Sequence, residues 1–202
     1  MKRFLKNVFK RRRALTVVIS GLPRSGTSMM MKMLEAGGIP PLTDGLRTAD
    51  MDNPKGYYEF ERVKKLKEGD TAWVPQARGK AVKVISALLP YLPDKNDYKI
   101  IFMHRKISQI LSSQRKMIIN RGEDFDLADE AKMETLFQKH LKQTKAWLES
   151  TSYVTNIDID YNGMLSDPTP YVKQINTFLD GYLDTEKMAA VVDPRLYRQR
   201  TR

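Results

Sequence analysis

A β-branched apolar run, Ala14–Gly21, passes directly into Gly21-Leu-Pro-Arg-Ser-Gly-Thr-Ser28, and a helical apolar pattern follows over Thr27–Ala36. No other feature constrains the fold as much. A buried strand that enters a helix through a tight glycine turn belongs to a crossover unit, in which the next strand returns parallel to the first. The pattern then repeats. Apolar strand-like runs occupy Ala81–Ile85, Lys99–Met103 and Tyr153–Ile159. Helical periodicity occupies Phe60–Glu68, Ile107–Arg121, Leu127–Ser150, Pro170–Leu179 and Thr185–Val192. Alternation of this kind predicts an α/β fold with a mostly parallel central sheet between layers of helices.

The expected core faces are Met29, Met30, Met33 and Leu34 on the first helix, and Ile110, Leu111, Met117 and Ile118 on the helix after the third strand. On the long helix they are Met133, Leu136, Phe137, Leu141 and Leu148. Three motif segments fall at predicted carboxyl ends of strands: Gly21–Ser28, His104–Arg105 and Asp160–Tyr161. Ligands of parallel sheets bind at that end.

The net charge of +11 is carried by the chain ends. Residues 1–13 hold seven Lys or Arg and no acid, and residues 195–202 hold four Arg and no acid. The chain therefore divides into a basic N-terminal arm (1–13), an α/β domain (14–194) and a basic tail (195–202). The balanced body argues against a nucleic-acid partner. Phe4, Leu5, Val8 and Phe9 recur at helical spacing in the arm. Such an arm suits peripheral contact with an anionic membrane surface; a frayed or core-docked leader is the alternative. The run Leu15–Leu22 is shorter than the roughly 20 residues of a membrane span and lacks a small-residue cleavage site. The expected location is cytoplasmic.

Gly21 and Gly26 allow a backbone to close around an anion, and the following helix start offers free N–H groups and a positive dipole end. Thr27 stands where a triphosphate-binding loop has its lysine, and the cation is instead Arg24. An earlier cation suits a single 5′-phosphate bearing one sulfuryl group.

Pro23-Arg24-Ser25-Gly26-Thr27-Ser28, between a strand and an apolar helix, resembles the 5′-phosphosulfate loop of sulfotransferases that use 3′-phosphoadenosine-5′-phosphosulfate (PAPS). Arg105 and Ser113, eight residues apart after a strand, resemble the pair with which that family grips the 3′-phosphate. The segment from Asp160 to Pro168 is similar to the one that sets a tyrosine, here Tyr161, beside the adenine. The resemblance implies a three-layer, P-loop-type fold and transfer of sulfuryl from PAPS to an acceptor hydroxyl, leaving PAP. Arg24, Ser25, Gly26, Thr27, Ser28, Arg105, Ser113 and Tyr161 would hold the donor, with no metal required. The family's C-terminal Arg-Lys-Gly motif is absent, and Arg195, Arg198 and Arg200 are its candidate substitutes.

Transfer needs a base for the acceptor's proton. Glu59 is the first candidate, because Asn53–Glu59 resembles a segment of bacterial sulfotransferases; Asp44, Glu61 and His104 are the others. His104 is expected to point away from Arg105 and to be satisfied structurally. Arg24 would neutralise the leaving oxygen. Two rival readings are a small P-loop kinase, with Asp160 as its metal-holding acid, and a nucleotide-binding domain without turnover.

Overall fold

The computed structural model describes residues 15–46, 56–122 and 127–193. The basic arm and tail, Asn53 and Arg195, Arg198 and Arg200 lie outside that set. Four strands form one all-parallel sheet: β1 (Thr16–Gly21), β2 (Ala81–Lys83), β3 (Tyr98–His104) and β4 (Val154–Asp160), in the order β2-β1-β3-β4. The helices are α1 (Thr27–Ala36), α2 (Ile107–Asn120), α3 (Leu127–Ser150), α4 (Tyr161–Ser166), α5 (Pro168–Phe178) and α6 (Thr185–Ala190). The α/β class and parallel sheet are as expected.

All six residues of β1 are buried, which is why this strand is apolar on both faces. Its side chains alternate between two cores. Val17 and Ile19 join α1, α5 and α6 through Met30, Met33, Leu34, Ile175 and Met188. Val18 faces the opposite core, built around Trp73, Leu89, Ile100 and Phe102.

Several local expectations shift. In α1, Met31 is buried in place of Met29, which packs at the core margin. The segment expected as a helix at Phe60–Glu68 is a 3-10 helix over Glu61–Glu68. The second strand stops at Lys83, because Val84 makes its last ladder contact, to Ile19 O at 3.0 Å, and a 3-10 turn begins at Ser86. The α3 bounds are as expected, but its apolar stripe meets the core through Leu141 and Leu148 rather than along its whole length. Only Leu148 of the five is buried; Met133, Phe137 and Leu141 are half-buried, and Leu136 is 63% exposed. On α2, Ile110 and Leu111 are buried while Met117 and Ile118 are half-buried.

Candidate active site

From β1 the chain runs to β2 on one side, and from β2 it crosses to β3 on the other. The carboxyl ends of β1 and β3 therefore flank a switch point, where a parallel sheet opens a crevice. Gly21 pairs with Met103 across the ladder, so the loop after β1 and Arg105 after β3 start at the same level.

The loop is tightly built. Gly21 has φ +147°, and a Cβ there would lie 2.5 Å from Ser25 Oγ and 2.7 Å from Met103 O. Gly26 has φ +101°, and its Cβ would lie 2.3 Å from the Tyr161 ring. Both positions exclude a side chain by space as well as by backbone angle. Arg24 also adopts a left-handed angle, φ +69°, which costs a non-glycine residue energy. Ser25 N donates to Leu22 O at 3.2 Å, and α1 begins at Thr27.

Arg24, Arg105, Ser113 and Tyr161 come together. Arg24 Nε donates to Ser113 Oγ at 3.0 Å. Arg105 Nη1 donates to Arg24 O at 2.9 Å. The Arg105 guanidinium lies 4.7 Å from the centroid of the buried Tyr161 ring. Gln109, itself buried, accepts from Arg105 Nε at 3.3 Å and from Asn162 Nδ2 at 2.9 Å. The loop cation thus leans toward α2, and the two expected anion grips form one continuous cluster.

A second cation, Lys83, went unnoticed in the sequence. It ends β2, next to β1, and its side chain is only 10% exposed. Lys83 Nζ donates to Tyr57 O at 2.5 Å and to Ser28 Oγ at 3.4 Å. Ser28 Oγ also donates to Tyr57 O at 3.3 Å. The signal was present: a lysine inside an apolar strand, at its carboxyl end. Glu59 stands beside this cation, 3.6 Å from Lys83 Nζ and 3.6 Å from Lys64 Nζ. Its own carbonyl accepts from Thr43 Oγ1 at 2.8 Å.

The remaining candidates have structural partners. Asp44 accepts from Glu61 N at 2.6 Å and Leu46 N at 3.1 Å, which holds its own loop. Glu61 pairs with Lys64 at 2.7 Å. His104 Nε2 lies 2.7 Å from Asp158 Oδ1 on the neighbouring strand, so the histidine is paired as expected. Asp160 caps α4, accepting from Asn162 N at 3.3 Å and Gly163 N at 2.9 Å. No group of three or more His, Cys, Asp or Glu that could hold a metal occurs among the described residues.

No family model matches the chain, and no curated protein matches its sequence. Its structure is similar to the crystal structure of sulfotransferase STF1 from Mycobacterium tuberculosis, with a TM-score of 0.57 at 13% identity. The match covers 95% of this chain and 73% of that one. With its four parallel strands, its flanking helices and its glycine loop at the switch point, the chain has a sulfotransferase-like fold.

Proposed function

We propose that this protein takes the sulfuryl group of PAPS, hands it to an acceptor hydroxyl and releases PAP. The observation that carries the reading is the convergence of Arg24, Arg105 and Ser113 beside the loop at the switch point. Arginine binds phosphate with a permanent charge and a fork of donors. ATP has no 3′-phosphate for such a second grip, whereas PAPS does. The loop also fits an anion in another respect: Ser25 Oγ is buried and has no hydrogen-bond partner among the described residues. Tyr161, under Gly26 and against Arg105, borders the space where the nucleotide base would lie.

Two cations flank the helix start. Arg24 reaches toward the 3′-phosphate side, and Lys83 stands beside Ser28. Both favour negative charge on a departing phosphate, and such preorganised charge is where an enzyme gains most. Unlike Arg24, Lys83 can also hand over a proton. Glu59 is the acid of the substrate loop and one candidate base; its position between Lys83 and Lys64 equally suits fastening Lys83 in place.

Calorimetry with PAP, ADP and ATP tests the reading. PAP is expected to bind far more tightly than ADP, because it alone fills both ends of the cluster. Equal affinities would remove the reason for preferring PAPS, and tight ATP binding would favour a kinase.

A further inference from the structure

A cleft of about 470 Å³ opens beside the first residues of the phosphate loop. Leu22 and Pro23 form one wall, Ile85 another, and Leu136 and Phe137 of α3 a third. Ile85 is 44% exposed and Leu136 63% exposed, large apolar side chains that neither core uses. On α3 the apolar stripe is thus divided: Leu136 and Phe137 line the cleft, while Leu141 and Leu148 pack on the core.

One polar pair, buried Ser86 and half-buried His140, lines this carbon-walled space. Ser86, at the start of the 3-10 turn after β2, is 2% exposed, and its Oγ lies 2.8 Å from His140 Nε2. Thr144 Oγ1 lies 3.3 Å from the same nitrogen. Burial pushes His140 below its ordinary value, so the imidazole is neutral near pH 7. With its proton on Nδ1, the ring leaves Nε2 to accept from Ser86, and the Ser86 oxygen keeps lone pairs for a hydroxyl in the cleft. Among the residues lining the cleft, Lys139 is the one charged side chain and His140 the one other titratable group.

We propose that this cleft holds the acceptor, that the acceptor is an alcohol or phenol with an apolar body, and that the Ser86–His140 pair takes the hydroxyl proton. The proposal rests on the sulfuryl-transfer reading. A sugar, with many hydroxyls, would leave several of them unpaired against these walls, at a cost for each. In the step itself, the acceptor oxygen forms the new O–S bond with a lone pair. The S–O bond to the donor's 5′-phosphate breaks, and its electron pair leaves on that phosphate. The acceptor's proton passes to Ser86 Oγ as the Ser86 proton passes to His140 Nε2, which becomes imidazolium.

The experiment uses the full chain with 2-naphthol as probe and N-acetylglucosamine as the polar control. Binding to the PAP-loaded protein is followed by NMR, where only two histidines are present to assign. The expected result is saturable 2-naphthol binding that shifts the His140 ring resonances, with no such shift from the sugar. Leu136→Glu should weaken 2-naphthol about tenfold, the loss of one apolar contact surface, without changing PAP affinity. With PAPS present, 2-naphthyl sulfate should form. His140→Asn should lower kcat by about 10²–10⁴-fold, the usual contribution of a general base, leave KM for 2-naphthol unchanged, and abolish a rise in kcat with pH below about 6.5. An unshifted His140, an indifferent Leu136→Glu variant, or wild-type turnover in a folded His140→Asn protein would overturn the proposal. Failure of PAP to bind would instead strike the donor reading, while the naphthol shift would still judge the cleft.

Discussion

Arg105, one residue beyond β3, donates a 2.9 Å hydrogen bond to the carbonyl of Arg24 in the loop after β1. The guanidinium therefore has two tasks in the proposed site: it holds the loop in shape and offers charge to an anion.

Replacing Arg105 by alanine removes both. A charge-assisted contact contributes about 1.5–3 kcal/mol, so PAP affinity should fall by roughly ten- to hundredfold or more in calorimetry. Unchanged affinity would reduce the case for PAPS to one loop.

Gln109 supports the Arg105 guanidinium by the 3.3 Å contact to Nε, and holds Asn162 beside Tyr161 with the same oxygen. Gln109→Leu should weaken PAP by less than Arg105→Ala does. In the double variant the two losses should fail to add, since they act through one guanidinium. Full additivity would show that Gln109 acts by another route.

Gly26→Ala meets two obstacles, φ +101° and a Tyr161 ring 2.3 Å from the new Cβ. The left-handed angle alone costs roughly 1–2 kcal/mol. For a chain of this size that lowers Tm by roughly 2–8 °C, and the displaced loop should lose PAP. A variant as stable and as tight-binding as the parent would contradict the described loop.

Glu59→Gln separates fastening from proton transfer. Both side chains of the Glu59–Lys83 pair are largely buried, 16% and 10% exposed, so losing this charge-assisted contact should lower turnover by up to about tenfold and lower Tm as well. PAP affinity should stay the same. A loss of about 10²–10⁴-fold would make Glu59 the base in place of His140.

Turnover should survive treatment with EDTA. In the proposed mechanism the charge on the departing phosphate is met by Arg24, Lys83 and loop N–H groups rather than by a metal. Loss of activity restored by Mg²⁺ would favour the kinase reading.

The parts of the fold legible in the sequence are those fixed by local pattern. β1, the loop and α1 were readable because burial on both sheet faces, two glycines and a helical apolar stripe all agree over Thr16–Ala36. Strand ends marked the segments after β1 and β3, whereas the roles expected of Arg105 and Ser113 came from the family resemblance. Lys83 was missed because its importance depends on which strand lies beside β1, and strand order is a tertiary fact. His140 was missed for a similar reason: its partner, Ser86, is 54 residues away in the chain. Periodicity on α3 marked an apolar face without telling whether protein or ligand covers it.

The β1–β3 ladder runs in unbroken register from Thr16↔Tyr98 to Gly21↔Met103. Both halves of the proposed donor site hang from its end. Their separation is therefore set by backbone hydrogen bonds rather than by flexible connections. A slip of one residue would move Arg105 by about 3.3 Å along the strand and turn its side chain to the other face of the sheet. In the proposed donor site the sheet is thus a ruler for the distance between two phosphates of a nucleotide, and a ligand whose phosphates are spaced differently would fail at one end.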